Sequence, residues 1–479
     1  MDELKNKQKI RQMKKRKNRR EVLLIIVMVV CLALGYFAGY MSKKTTVVEN
    51  NNSENIVDEV YETLRDHWVN ANDQEMDFDS ALVNGMVSGL SDQHSQHFTT
   101  DQASSFNESV AGNVQGIGVG YSPVEKGAMI TKVYDDSPAQ EAGLQVGDII
   151  TVADGHELAG ASSDQVKEYV RGDNGTQVTL TLLRNEETFN KEVTRRSLDT
   201  STAYEIKKAG QQSFGYIELT TFGVDTASQV ETALKYFKEH QIETLVLDLR
   251  DNGGGYLTAA EGILDLFFDS KEVIYQMQLK NDAAQKFYAS SDNVYSFDQG
   301  YILVNGNTAS ASELTAGALQ SEKGYKLIGE QTYGKGTAQT QKTLSDGSVL
   351  KYTYAKWMIP NGTCIDGKGL TPDVKVENVS LDDISMAEVK GTLQVDSVSD
   401  RVKSMQKMLN ILGYGVDRED GYFSVATSEA LKKFESDNHL TADGQYDEND
   451  KLMLVARIMI YLNNHENDKQ YDKLIEILK

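Results

Sequence analysis

Apolar residues recur every three or four positions in IVDEVYETLRDHWV and again in FDSALVNGMVSGL, a spacing that predicts a small helical hairpin packed on something else. From Gly112 to about Arg195 the period shortens. The pattern there predicts strand, strand, a short SPAQEAG helix, a strand through DIITVADG, a helix across SSDQVKEYV and a closing strand VTLTLLR. FGYIELTTF, ETLVLDLRDNGGGYL, GYILVNGNTASASELTAGALQ and YKLIGEQTYGKGTAQT then alternate β-branched apolar runs with helical ones. That alternation predicts an α/β core. Helical spacing returns in VKSMQKMLNILGY and ATSEALKKFESDNHL, on either side of the turn DREDGYF. One run follows no period: Val22 to Met41, twenty residues without a charge, about what a helix needs to cross a ~30 Å hydrocarbon core.

That run reads as a single transmembrane helix. Residues 1–44 carry twelve Lys/Arg against three acids, and the basic block preceding the span should stay cytoplasmic, placing everything after Lys44 outside the cell. A cleaved signal peptide is the alternative, but the apolar run exceeds the usual ~7–15 residues and no A-x-A site follows. The formal charge of −22 makes nucleic acid a poor partner for the acidic remainder. Cys31 falls in the span and Cys364 stands alone outside it, so no intramolecular disulfide framework is expected.

Composition shifts divide the 479 residues into a basic segment 1–21, the span 22–41, a linker 42–55, a helical region 56–111, a domain of short strands and turns 112–195, the α/β core 196–385, a linker 386–399, a helical domain 400–464 and a charged tail 465–479. Within the helical region His67 and Trp68 read as core packing. His94 and His97 are three apart but have no acidic or cysteine partner beside them, and no metal or other cofactor is expected.

Three stretches carry the candidate chemistry. LVLDLR is a buried strand ending in Asp248 and Arg250, and Gly253-Gly254-Gly255 follows it, with backbone N–H groups that could meet a developing oxyanion. Ser310 stands where the strand ILVNG gives way to a helix, and Ser310-x-x-Glu313 is also a capping-box pattern. A nucleophilic serine needs a base, yet none of the seven histidines lies between His240 and His439. Lys335, between two glycines in a loop after an apolar strand, can take that part if desolvation favours its neutral amine. Ser–Lys chemistry needs no histidine.

SPAQEAGLQVGDIITVADG and its surroundings resemble a PDZ domain in circularly permuted bacterial order. The resemblance implies that Gly116, Ile117, Gly118 and Val119 hold a peptide's terminal carboxylate while the adjoining strand edge accepts the peptide. Arg171, after the second helix, is placed to bridge this domain to the catalytic body. NTASASELTAGALQ, YGKGTAQT, LDLRDNGGG and WMIPNGTCIDGKGLTPDV together resemble the C-terminal processing peptidases, or tail-specific proteases. That likeness implies Ser310 as nucleophile, Lys335 as base, Gln339 as its orienting residue, and an oxyanion hole from Ala311 with Gly254 or Gly255. Gly253 stands where the family often has proline, and SDQHSQHF replaces a motif commonly D-P-Y-S-x-Y-F, a structural segment rather than part of the catalytic set. Residues 400–449 resemble a small peptidoglycan-binding domain.

The expectation is therefore a multidomain serine endopeptidase at the cell membrane: one transmembrane helix, a helical hairpin, a β-barrel-like PDZ domain, an α/β peptidase core and a small three-helix C-terminal domain. Its partners are protein C-termini and peptidoglycan, and self-association is left open. Two alternatives stand beside it: a non-catalytic PDZ and wall scaffold in which Ser310 only caps a helix, and a serine hydrolase using His240 or His439.

Overall fold

The computed structural model describes residues 55–479 apart from 72–76, 135, 185–186, 293, 380, 382–383, 386 and 464–466. The expected transmembrane run lies outside the described residues, and among those that are described no helix is long and apolar enough to cross a membrane. The chain divides into two compact units after Phe78. In the first, the helix Ile56–His67 is capped by Asn55, whose side chain accepts the Val57 N–H. His67 and Trp68 are not core residues as expected: both are exposed, with the Trp68 ring 6.2 Å from that of Phe78.

In the second unit, the PDZ-like sheet runs Val119–Val124, Gly127–Val133, Ile149–Ala153, Gln177–Arg184, Glu187–Thr194 in spatial order. The last strand was not anticipated, because ETFNKEVT buries little besides Val193 and offers no apolar run. Val119–Val124 is an edge strand, and the helix Ser163–Val170 lies against it, tied by Tyr121 Oη donating to the Ser163 carbonyl at 2.9 Å.

The α/β core is a six-stranded sheet in the order Thr202–Ala209, Gln212–Leu219, Thr244–Asp248, Gln299–Val304, Lys326–Gly329, Val374–Lys375, antiparallel in its first pair and parallel thereafter. Successive side chains point to opposite faces, and both faces are buried. Leu245, Leu247, Ile302 and Val304 meet the helices Thr226–Glu239, Leu257–Leu264 and Ala311–Lys323. Val246, Leu303 and Ile328 turn the other way, onto Leu474 and Leu478. A sheet covered twice explains the unbroken apolar run in LVLDL. A second sheet aligns Gln96–Phe98, Val349–Met358, Val273–Leu279 and Gln285–Tyr288, with Thr337–Thr343 also paired to Val349–Met358.

The C-terminal domain holds the three expected helices, Asp400–Ile411, Val425–Asp437 and Glu448–Asn463. Two flanking expectations change. The stretch read as a linker is stitched onto this domain: Leu393 bridges Tyr446, Val398 bridges Tyr422, and Val389 is buried. The tail is no loose appendage, because its helix Lys469–Leu478 covers the second face of the six-stranded sheet. Leu474 and Leu478 are four apart and so share one side of that helix.

Candidate active site

Ser310 lies between the strand Gln299–Val304 and the helix Ala311–Lys323. Serines and threonines that cap helices elsewhere in this chain are extended, as at Thr99 (φ −62°, ψ 165°) and Ser162 (φ −68°, ψ 161°). Ser310 has φ 58° and ψ −119°, a conformation that L residues rarely take and that persists only where the surroundings impose it. The capping relation is present on the Glu313 side, whose Oε2 accepts the Ser310 N–H at 2.9 Å. Capping alone does not account for a strained serine.

Glu313 is fully buried and does more than cap. The same Oε2 accepts the Lys335 N–H at 2.8 Å, and Oε1 accepts the Gly334 N–H at 2.7 Å and the Thr332 hydroxyl at 2.5 Å. The loop Thr332–Lys335 is thereby pinned to the start of the serine helix. Ser310, Ala311, Lys335, Gln339, Gly254 and Gly255 line one cleft of about 730 Å³, which brings together all six residues expected for catalysis and the oxyanion.

Burial pushes the Lys335 amine below the ordinary lysine range, and the like charge of Lys351 pushes the same way, against Asp92 and Glu313. The neutral amine is the proton-accepting form. Gln339 donates to the hydroxyls of Thr337 at 3.0 Å and Thr353 at 3.2 Å. It thus braces the strand beside Lys335. The Thr353 N–H in turn donates to Ser95 Oγ, which donates to Asp92 at 2.6 Å. SDQHSQHF is therefore linked to the cleft residue Gln339 through Thr353, a role that no local pattern in it signals.

Gly254 packs directly on the serine turn: a Cβ there would lie 2.8 Å from Ser310 Cβ and 2.9 Å from Ala311 N. Its N–H donates to Asn252 Oδ1 at 2.8 Å, so it is not available to an oxyanion in this arrangement. Gly255 is the remaining candidate donor of the pair, beside the Ala311 N–H, which at the first helical position has no intrahelical acceptor.

The expected peptide-binding residues lie in the PDZ-like domain and not in this cleft. Gly116 ends a short strand paired to Arg196–Asp199, and the carbonyls of Ile117 and Gly118 accept the N–H groups of Ala139 and Tyr134. Gly118 has φ 77°, and a Cβ there would sit 2.4 Å from Ser137 Cβ, so the turn requires glycine. Val119 begins the open edge strand. Arg171 caps the helix Ser163–Val170 through its N–H to the Lys167 carbonyl and packs beside Gly116.

The histidines proposed as alternative bases are elsewhere. His240 ends the helix Thr226–Glu239 with its ring against Tyr236, and His439 belongs to the C-terminal domain; neither lines the cleft. His94 is the histidine whose charge Lys335 opposes: burial first, then Lys335, holds it below the ordinary range. His97 Nδ1 meets Asn84 Oδ1 at 3.1 Å. Among the described residues no group of three or more His, Cys, Asp or Glu is placed to hold a metal ion.

Comparison with known proteins bears on these findings. A model of peptidase family S41 matches residues 213–376, one of the PDZ domain residues 129–184, and one of a peptidoglycan binding domain residues 398–449. A CtpA-like serine protease of Staphylococcus haemolyticus is 34% identical over 428 residues, covering 88% of this chain and 84% of that protein. One from Staphylococcus aureus is 32% identical over 444 residues, 92% of this chain and 88% of its own length. Among solved structures, the photosystem II D1 C-terminal processing protease is similar over 69% of this chain and 94% of its own, with a TM-score of 0.43 and 24% identity.

Proposed function

The chain belongs to peptidase family S41 and is a CtpA-like, serine-type peptidase of the C-terminal processing kind, and within that activity we propose Ser310 as the nucleophile and Lys335 as the general base. The observation that carries this assignment is the shared acceptor: Glu313 holds the backbone of both residues while both line one cleft.

In the proposed reaction Ser310 Oγ attacks the scissile carbonyl and its proton passes to the neutral Lys335 amine. The Ala311 N–H and that of Gly255 stabilise the negative oxygen of the tetrahedral intermediate. Lys335, now an ammonium, returns the proton to the departing amine. An acyl ester on Ser310 remains, and water activated by the same lysine hydrolyses it. Gln339 acts at one remove, bracing the strand that follows Lys335.

Substrate tails are proposed to add to the edge strand Val119–Val124, against the helix Ser163–Val170, with the terminal carboxylate at Gly116–Val119. Arg171, beside Gly116, supplies positive charge there. The C-terminal domain is proposed to bind peptidoglycan, and the apolar run Val22–Met41 to anchor the protein by one span with the peptidase outside the cell. The test is casein cleavage by the ectodomain. Ser310→Ala and Lys335→Ala should be inactive and His240→Ala unaffected; an active Lys335→Ala would remove the lysine base. Peptides ending in a free carboxylate should be cut faster than amidated copies, and equal rates would remove tail recognition.

A further inference from the structure

The chain carries 71 acidic residues against 49 basic ones, yet among the described residues lining the catalytic cleft there is no Asp or Glu, and beside Lys335, which acts as a neutral amine, the cation is Lys351. A cleft of one sign in a body of the other concentrates ligands of the opposite charge. Lys335 has its part in the chemistry. Lys351 enters it so far only through its charge, which helps to hold the Lys335 pKa down.

Lys351 stands on the long strand Val349–Met358, paired with Gln341, while Gln339 pairs with Thr353 two residues along. At about 3.3 Å per residue, Lys351 lies one same-face step along the cleft from the residue that braces Lys335. The side chain is half-buried, and its ammonium lies 4.4 Å from the Phe106 ring centroid and 5.3 Å from that of Phe98. Aromatic faces favour the cation, but they leave its three N–H donors without strong acceptors. Among the described residues Lys351 forms no salt bridge. The acid whose charge reaches it, Asp92, is already bonded to the His94 N–H and the Ser95 hydroxyl.

We propose that Lys351 is an anion subsite of the cleft, pairing with a carboxylate of the bound substrate, so that this peptidase favours segments carrying an acidic group beside the scissile bond. The carboxylate is that of an Asp or Glu side chain or of a nearby chain end. This rests on the reading of the cleft as the site of catalysis.

The test uses amidated peptides that differ only by Asp, Asn or Lys at one position, scanned across both sides of the cleavage site, and one free-acid series of different tail lengths. Wild type should cut the Asp peptide roughly tenfold better in kcat/KM than its Asn twin at one position, the size of a charge-assisted contact of about 1.4 kcal/mol. Lys351→Met should bring that ratio close to one, and Lys351→Glu should turn it toward Lys. If the free-acid series alone shows discrimination that Lys351→Met abolishes, the anchored group is the chain end. Ratios of one in wild type for both series, or ratios that survive Lys351→Met, overturn the subsite. A Lys351→Met variant that shifts only the pH profile overturns it as well, since the lysine would then act on Lys335 and not on substrate. Ser310→Ala, run in parallel, reports on the catalytic reading separately: it should cut none of the peptides.

Discussion

Ser310 and Lys335, 25 positions apart in sequence, are joined through one atom, because Oε2 of Glu313 accepts the N–H of each, at 2.9 Å and 2.8 Å. A carboxylate suits this place because it offers only acceptors, and here both oxygens face donors. Glu313→Gln would turn an NH₂ group toward one pair of N–H or O–H donors and leave them unsatisfied. Each buried unsatisfied group costs about 1–3 kcal/mol, so the variant should melt at a lower temperature and lose most of its turnover even while folded. A Glu313→Gln protein with wild-type kcat would show that the shared acceptor does not position the pair.

The backbone of Ser310 supports a second expectation. At φ 58° and ψ −119° a residue with a Cβ is strained by about 1–3 kcal/mol, and glycine is not. Ser310→Gly should therefore unfold at a higher denaturant concentration than Ser310→Ala, and both should be inactive. If Ala proves the more stable of the two, the serine turn stores no strain.

Lys335 joins activity to stability through its proton. Burial, then Lys351, lowers its folded-state pKa from the ordinary 10.5, so the native state binds fewer protons than the unfolded one between the two values. Stability then rises with pH across that window, and below it the buried amine destabilises the fold. Activity should rise through the lowered pKa as the neutral base forms. Lys335→Met should be inactive yet melt no lower than wild type at neutral pH. Lys335→Arg should also be inactive, since a guanidinium stays charged. An active Lys335→Arg would return the search to a histidine, and His94 is the one whose charge Lys335 feels.

Most of the candidate site was legible because the residues that meet in the cleft sit in short contiguous motifs. TASASE places Ser310 with Glu313, and YGKG places Lys335. What was not legible converges from far apart. Lys351 meets Phe98 because Gln96–Phe98 pairs with Val349–Lys351 across some 250 residues of chain, and no periodicity encodes that register. The spent N–H of Gly254 could not be read either, since it depends on where the Asn252 side chain turns. The tail was unreadable for a different reason: its 3.6-residue pattern shows an apolar side without saying what covers it. The answer, the reverse face of the peptidase sheet, follows from strands whose odd and even positions are both apolar.

The same tail carries a prediction about the interface it makes. Arg250 forms salt bridges with Asp248 and with Asp468, just before the last helix, at 2.5 Å each, and its guanidinium is largely buried. Burial alone would raise the Asp468 pKa, but Arg250 overcomes it and holds the carboxyl below the ordinary range. A depressed folded pKa gives stability that is complete above the unfolded value of about 3.9 and is lost as pH falls through the folded one. Asp468→Ala, which leaves the arginine one carboxylate short, should cost about 3–5 kcal/mol at pH 7. The loss should shrink as pH is lowered toward 3. Chemical denaturation at both pH values measures it, and an equal loss at both would remove the ion pair as its cause.

The C-terminal domain should respond to pH with the opposite sign. Glu435 is fully buried on the helix Val425–Asp437; its Oε2 accepts the Gly444 N–H at 2.9 Å while Oε1 has no partner among the described residues. Burial pushes its pKa up to about 7, with Asp443 and Asp447 adding to the shift and the Gly444 N–H opposing it. The folded state therefore binds more protons than the unfolded one between the ordinary glutamate value of about 4.3 and about 7. Stability falls as pH rises across that range, because folding must hold a charged carboxylate out of water. Glu435→Gln keeps an acceptor for Gly444 and cannot ionise. It should match wild type near pH 5 and exceed it at pH 8, read as a higher urea midpoint for this domain. A variant less stable than wild type at pH 8 would mean that the charged form of Glu435 is held by contacts stronger than the Gly444 N–H, and the inverted pH response would be withdrawn.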